Sequence, residues 1–184
     1  LGFVDAPADA QPEVVHRLPG LQNWLEYLIE LGASGLALGP IFASASHGYD
    51  TVDYFRIDPR LGDEQDFRDL VDAAHSKGIR VLLDGVFNHV GRDFPAFREG
   101  RSEWFHLYPG GEYEHFEGHR DLVTLNHDSD VVVDFVVEVM CHWLERGADG
   151  WRLDAAYAIP AGFWARVLPR VRERFPLAYI VGEM

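Results

Sequence analysis

Three short apolar runs, each ending in a carboxylate, constrain this chain more than any other feature. Val81-Leu82-Leu83 leads into Asp84, Gly150-Trp151-Arg152-Leu153 into Asp154, and Ile180-Val181-Gly182 into Glu183, which lies 29 positions after Asp154. Runs of this length, rich in branched and aromatic residues and bounded by glycine, read as β-strands. Parallel strands with polar residues at their carboxyl ends describe the working face of a (β/α) barrel.

The rest of the chain alternates strand and helix. Leu1–Asp5 reads as a first strand. The apolar spacing from Leu21 to Leu28 predicts a helix stopped by Gly32, and Gly35–Pro40 a second strand. His47–Tyr54 is rich in turn residues and reads as irregular. Asp63 is placed to cap a helix whose apolar face is Phe67, Leu70, Val71 and Ala74, ending at Gly78. Ile79–Asp84 is the third strand, apolar enough to be buried on both faces. Asp130–Arg146 reads as an apolar helix, Gly150–Asp154 as strand four, Pro160–Phe175 as a helix that Pro169 kinks or divides, and Ala178–Glu183 as strand five. Between them, residues 91–129 carry seven aromatics and four histidines without a sustained period. A loop this long in a short-looped α/β chain is a functional excursion.

The expected fold is therefore α/β, of the (β/α)8 type, present over 1–184 as a partial barrel. It has about four β/α units plus a fifth strand, with 91–129 as a small inserted loop domain after strand 3. A complete barrel has eight units in about 250 residues. A doubly wound open sheet is the alternative, disfavoured because no glycine-rich phosphate loop follows the first run.

Composition excludes several roles. With 47% hydrophobic residues the chain can bury a sizeable core, and its net charge of −14 argues against nucleic acid or an anionic membrane as partner. No apolar run approaches the ~18 residues of a membrane span. Cys141 is the only cysteine, so an internal disulfide and cysteine zinc sites are out of reach; its apolar surroundings predict a buried, inert thiol. Compartment stays open, with the cytoplasm favoured over secretion. The unclosed barrel edge at strand five is expected to invite self-association.

In order and spacing, the motifs resemble glycoside hydrolase family 13, the alpha-amylase family. Asp84-Gly85-Val86-Phe87-Asn88-His89 is similar to its first sequence region, Gly150-Trp151-Arg152-Leu153-Asp154 to its second and Gly182-Glu183 to its third. His47-Gly48-Tyr49 with Asp53-Tyr54 resembles the segment after the second barrel strand, and Leu122–Asn126 a short motif late in the inserted domain. The resemblance implies a retaining α-glycoside hydrolase or transglycosylase on α-glucans, with Asp154 as nucleophile and Glu183 as general acid, then base. It also implies that His89 hydrogen-bonds the sugar and Tyr49 stacks on it. Retaining enzymes hold two carboxyl groups about 5–5.5 Å apart across the anomeric carbon. Arg152, two residues before Asp154, points to the same face and is expected to lower its pKa. Glu183, as the acid, calls for an apolar or carboxylate-rich setting.

Read alone, Asp154 is a helix cap, Tyr49 packing and His89 a loop histidine; together with Arg152 and Glu183 they favour catalysis. Asp84 and Asp53 read as structural, holding loops and Arg152. Trp104, Phe105, Tyr108 and Tyr113 are sugar platforms or a core for the insert. The family's third carboxylate comes from a later strand, so the site within 1–184 is incomplete. Ala155-Ala156-Tyr157-Ala158 stands where calcium-binding relatives often keep Lys-His, which points towards shorter or branched α-glucosides. No cofactor is expected; Asn88 with carboxylates of the insert is the one candidate for calcium. Two other functions compete: a metal-dependent hydrolase using His47, Asp84, His89 and Glu183, and a non-catalytic carbohydrate-binding or scaffolding protein on the same barrel.

Overall fold

The computed structural model describes residues 1–9 and 13–184. A 3₁₀ turn at Gly2–Val4 and a longer one at Leu18–Trp24 lead into α1 (Leu25–Glu30). Then come β1 (Gly35–Ala37), β2 (Phe42–Ser44), β3 (Thr51–Ile57), α2 (Glu64–Ser76), β4 (Arg80–Gly85), β5 (His89–Gly91), α3 (Pro95–Arg98) and β6 (Leu122–Thr124). The chain continues with α4 (Asp130–Glu145), β7 (Gly150–Leu153), a 3₁₀ turn at Ala156–Ala158, α5 (Ala161–Arg174) and β8 (Tyr179–Gly182).

Four strands form one parallel sheet in the order β1-β4-β7-β8. The order follows the sequence without reversing, whereas a doubly wound sheet reverses at its switch point, so the open-sheet alternative is excluded. Side chains alternate across this sheet. Val81, Leu83, Trp151 and Leu153 are buried in the same core as the apolar faces of α2, α4 and α5. Leu82, Arg152, Tyr179 and Val181 lie on the opposite, partly open face. The third strand is thus covered on one side only, not on both.

Local chemistry sets the helices. Asp63 accepts from the Gln65 and Asp66 amides while Asp66 accepts from the Asp63 amide, a complete capping box at the start of α2. Gly78 follows that helix at φ 72, a conformation costly for other residues. Helix α4 buries one broad apolar face and exposes Val131, Asp134, Glu138 and Glu145, with Trp143 donating to the Tyr54 carbonyl at 2.7 Å. Cys141 is buried within it.

Three expectations are corrected. Leu1–Asp5 is not a strand: Gly2–Val4 makes local 3₁₀ bonds, Asp5 turns left-handed at φ 52, and Leu1 and Val4 pack on the core while Phe3 stays exposed. A four-residue apolar run carries no period that separates these outcomes. Thr51–Tyr54, the end of the segment His47–Tyr54 read as irregular, is part of β3, antiparallel to β2; its β-branched and aromatic residues win over the turn residues preceding them. Finally, of the two outcomes expected at Pro169, division does not occur: α5 runs through it as one helix, giving up one hydrogen bond.

Arg60 holds the β2–β3 corner together. It is almost wholly buried, pairs with Asp58 at 2.6 Å, and donates to Ser44 and to the Pro7 and Ala8 carbonyls. The segment 91–129 leaves and returns through β5 and β6, which pair antiparallel. Inside it Phe97 packs on Phe105 and Tyr113, and Trp104 on Phe94 and Phe135. Trp104, Phe105 and Tyr113 therefore belong to a core of the insert, while Tyr108 is exposed.

Gly150 is the tightest point of the sheet, since a Cβ there would lie 1.9 Å from the Tyr179 carbonyl oxygen. Gly150→Ala is expected to force β7 and β8 apart and cost about 3 kcal/mol, read as a lower urea midpoint. An unchanged midpoint would contradict this packing.

Candidate active site

The parallel register sets the site before any side-chain contact is made. Asp84 stands opposite Arg152, and Leu153 opposite Gly182. The ladder runs one residue further on each strand, with the Asp154 amide bonded to the Gly85 carbonyl and the Glu183 amide to the Leu153 carbonyl. Asp84, Arg152, Asp154 and Glu183 therefore meet at the carboxyl ends of three neighbouring strands.

Arg152 is the hub. Its Nη1 donates to both Asp84 oxygens at 2.7 and 2.9 Å and to Asp154 Oδ1 at 2.9 Å, while Nη2 faces Glu183 Oε2 at 3.0 Å. Asp84 and Asp154 are buried; Glu183 is 43% exposed. Glu183 Oε2 also accepts from the Ala155 amide at 2.9 Å. Ala155 adopts φ 44, ψ 37, a left-handed conformation that costs a non-glycine residue about 1–3 kcal/mol. This turn aims the amide after Asp154 at the carboxylate of the next strand. Nothing in the sequence marks Ala155 as left-handed.

Electrostatics depart from the sequence expectation. Burial holds the Asp154 carboxyl above its ordinary pKa, against the pull of Arg152 and with Glu183 adding to the rise. Burial likewise pushes Asp84 up to about 6, opposed by Arg152 and reinforced by Asp154 and Glu183. One guanidinium does not offset the desolvation of carboxylates that also repel each other. Of the two settings expected for Glu183, the apolar one is absent, for it lies in an ion pair and open to solvent, while Asp84 and Asp154 on the same arginine make its surroundings rich in carboxylates.

The other predicted residues lie around this hub. Tyr49 is partly exposed, with the Asp84, Asp154 and Glu183 charges acting on its hydroxyl. His89 is buried at the start of β5, stacked on Phe116 with centroids 4.7 Å apart. Burial pushes it down to about 4, so it is neutral at physiological pH. Its Nε2 is buried and makes no hydrogen bond. Asn88 is buried, with its amide against His89 Nδ1 at 3.2 Å. Asp53 accepts from the Phe55 amide and does not reach Arg152, so of the two aspartates assigned to support only Asp84 holds the arginine. Tyr54 Oη donates to the Val86 carbonyl and, at 3.4 Å, to that of His89, fixing the loop between β4 and β5.

The metal-hydrolase reading fails on geometry. Among the described residues, the histidines and carboxylates close enough to share an ion are His16, Asp63 and Asp66, a helix-capping group far from β4 in sequence. His47, Asp84, His89 and Glu183 are not gathered, and Asp84 is committed to Arg152. A cavity of about 550 Å³ beside the β2–β3 hairpin and the start of α2 lies apart from the carboxylate hub.

The family model for the alpha amylase catalytic domain matches residues 3–116. The chain belongs to the alpha-amylase family. It is 36% identical over 181 residues to the intracellular maltogenic amylase of Bacillus subtilis, covering 91% of this chain and 31% of that protein. Neopullulanase 2 of Thermoactinomyces vulgaris is 40% identical over 184 residues, covering 91% and 32%. The debranching enzyme of Nostoc punctiforme superposes with a TM-score of 0.83 at 40% identity, over 91% of this chain and 40% of that one. The chain spans about a third of the length of the curated relatives it matches. Its parallel sheet with covering helices is a partial alpha-amylase (β/α)8 barrel, not a closed one.

Because folded Asp84 keeps its proton to about pH 6 while an unfolded aspartate loses it near 4, the folded state binds the extra proton between them. That contribution to stability is present below about pH 4 and is lost as pH rises through 6, on the order of 3 kcal/mol in all. Carboxyl NMR is expected to give an Asp84 midpoint near 6, and Arg152→Met to raise it. A midpoint near 4, or a fall in the variant, would refute this balance.

Proposed function

We propose that the protein carrying this chain is a retaining α-glycoside hydrolase or transglycosylase acting on α-glucans and malto-oligosaccharides. The observation that supports this most is Asp154 and Glu183 held on one arginine at the carboxyl ends of adjacent parallel strands, in a chain of the alpha-amylase family. Relatives named maltogenic amylase, neopullulanase and debranching enzyme favour α-glucans as the substrate class.

In this reading Asp154 attacks the anomeric carbon while Glu183 gives its proton to the glycosidic oxygen, so the C–O bond breaks and a β-glycosyl ester forms. Glu183 then takes a proton from water or from a second sugar hydroxyl, which displaces Asp154. Arg152 keeps Asp154 oriented and favours its ionised form as the charge of the ester comes and goes. Neutral His89 offers its free Nε2 to a sugar hydroxyl, and Tyr49 its ring to the sugar face.

Several further assignments belong to the same proposal. Residues 1–184 form part of one catalytic domain with 91–129 as its inserted excursion, supported by the β5–β6 pairing that brings the ends of the excursion together. Asn88 is the candidate calcium ligand through its side-chain oxygen, since the nitrogen is the atom that faces His89. Self-association through the outer edge of β8 is supported by the exposure of Tyr179 and Val181. A cytoplasmic location is supported by the relative named intracellular; no helix among the described residues is long and apolar enough to cross a membrane.

The test is maltoheptaose turnover by the intact protein, followed by proton NMR. Products are expected to appear as the α-anomer, and Asp154→Asn to lower kcat about 10⁴-fold or more. β-Anomer products, or an Asp154→Asn variant with wild-type kcat, would overturn the assignment.

A further inference from the structure

A turn of the insert reaches across to the turn that follows Asp154. Tyr157, in the 3₁₀ segment Ala156–Ala158, donates its hydroxyl to Glu117 Oε1 at 3.1 Å. Glu117 follows Phe116, whose ring lies flat against His89. This contact therefore joins the β5 side of the site to the β7 side, over the ends of the strands that carry Asp84 and Asp154.

Tyr157 is 55% exposed, and a single hydrogen bond shifts an equilibrium only about fivefold, so the contact is modest and can open. Yet Glu117 sits at φ 48, ψ 34, a left-handed conformation unfavourable for a glutamate, directly before Gly118 at φ 83. The chain spends strain to present a carboxylate where a glycine would fit more easily. On the other side, Ala155 carries the matching strain two residues before Tyr157. Of the three non-glycine residues with positive φ among the described residues, Glu117 is one partner of this contact and Ala155 lies two positions from the other. Strain concentrated beside a candidate site points to function. Glu117 raises the Tyr157 hydroxyl pKa through their hydrogen bond, and the charges of Glu183 and Asp154 add smaller effects in the same direction.

We propose that Tyr157 and Glu117 are a specificity-determining pair that bridges one end of the sugar cleft and sets the length of α-glucan accepted there. The proposal rests on the glycosidase reading above. A short oligosaccharide binds beneath the closed bridge. A longer chain passes only when the phenol and carboxylate part and turn to its hydroxyls, at a penalty of one hydrogen bond, about fivefold in kcat/KM.

The experiment compares kcat/KM for maltoheptaose and maltotriose in the intact protein. Tyr157→Phe and Glu117→Gly are each expected to raise the maltoheptaose-to-maltotriose ratio about fivefold. The double variant is expected to add nothing, because both changes remove one bond. Glu117→Gln, which keeps the acceptor oxygen, is expected to retain the wild-type ratio. A ratio unmoved in both single variants, or effects that multiply in the double, would overturn the bridge while leaving the glycosidase reading intact. A wild type inert on both sugars would remove both at once, and is seen before any variant is made.

Discussion

Everything at the candidate site depends on one guanidinium surrounded by three carboxylates. Arg152 contacts Asp84, Asp154 and Glu183 within 2.7–3.0 Å, so the cluster would carry a net charge of about −2 if every acid were ionised. Water could spread that charge, but Asp84 and Asp154 are buried. The conflict is relieved in two ways: Asp84 holds its proton to about pH 6, and Glu183 stays open to solvent. A lysine could not replace the hub, because a single ammonium lacks the two nitrogens that reach separate strands at once.

The guanidinium works because the backbone has already aligned its partners. Parallel strands in register place their carboxyl ends at one level, and alternation puts Asp84, Arg152 and Asp154 on one side of the sheet. The opposite side is filled by Trp151, Leu153, Val81 and Leu83 against the helices. Gly150 permits the close approach of β8 that brings Glu183 within reach. Packing on one face thus fixes electrostatics on the other.

Much of this was legible in the sequence. Asp84, Asp154 and Glu183 each end an apolar run, and an apolar run of that length between helix signals leaves few options. The α2 capping box could be read from Asp63 and Asp66 alone. Leu1–Asp5 misled because Leu1 and Val4 pack on the core without forming a strand, a distinction made by tertiary contacts. The start of β3, Thr51–Tyr54, was masked by the turn residues before it. The sign of the Asp154 shift was missed for a related reason: Arg152 is visible two positions away, whereas burial and the approach of Glu183 are products of the fold. The left-handed turns at Ala155 and Glu117 have no sequence signal, since neither residue type favours that conformation.

Those turns show how the site divides its labour. Asp154 is set by a ladder that cannot shift without breaking the sheet, and its partner Glu183 is drawn in by the amide of the strained Ala155. The insert rests on β5 and β6, on the Phe116–His89 stack and on the Tyr157–Glu117 contact. Rigid strands hold Asp84, Arg152, Asp154 and Glu183 in register. Loop elements held by weaker and strained contacts surround them. The geometry of the carboxylates is thus fixed by the sheet, while the surroundings rest on a few side chains of the insert and of the turn after Asp154.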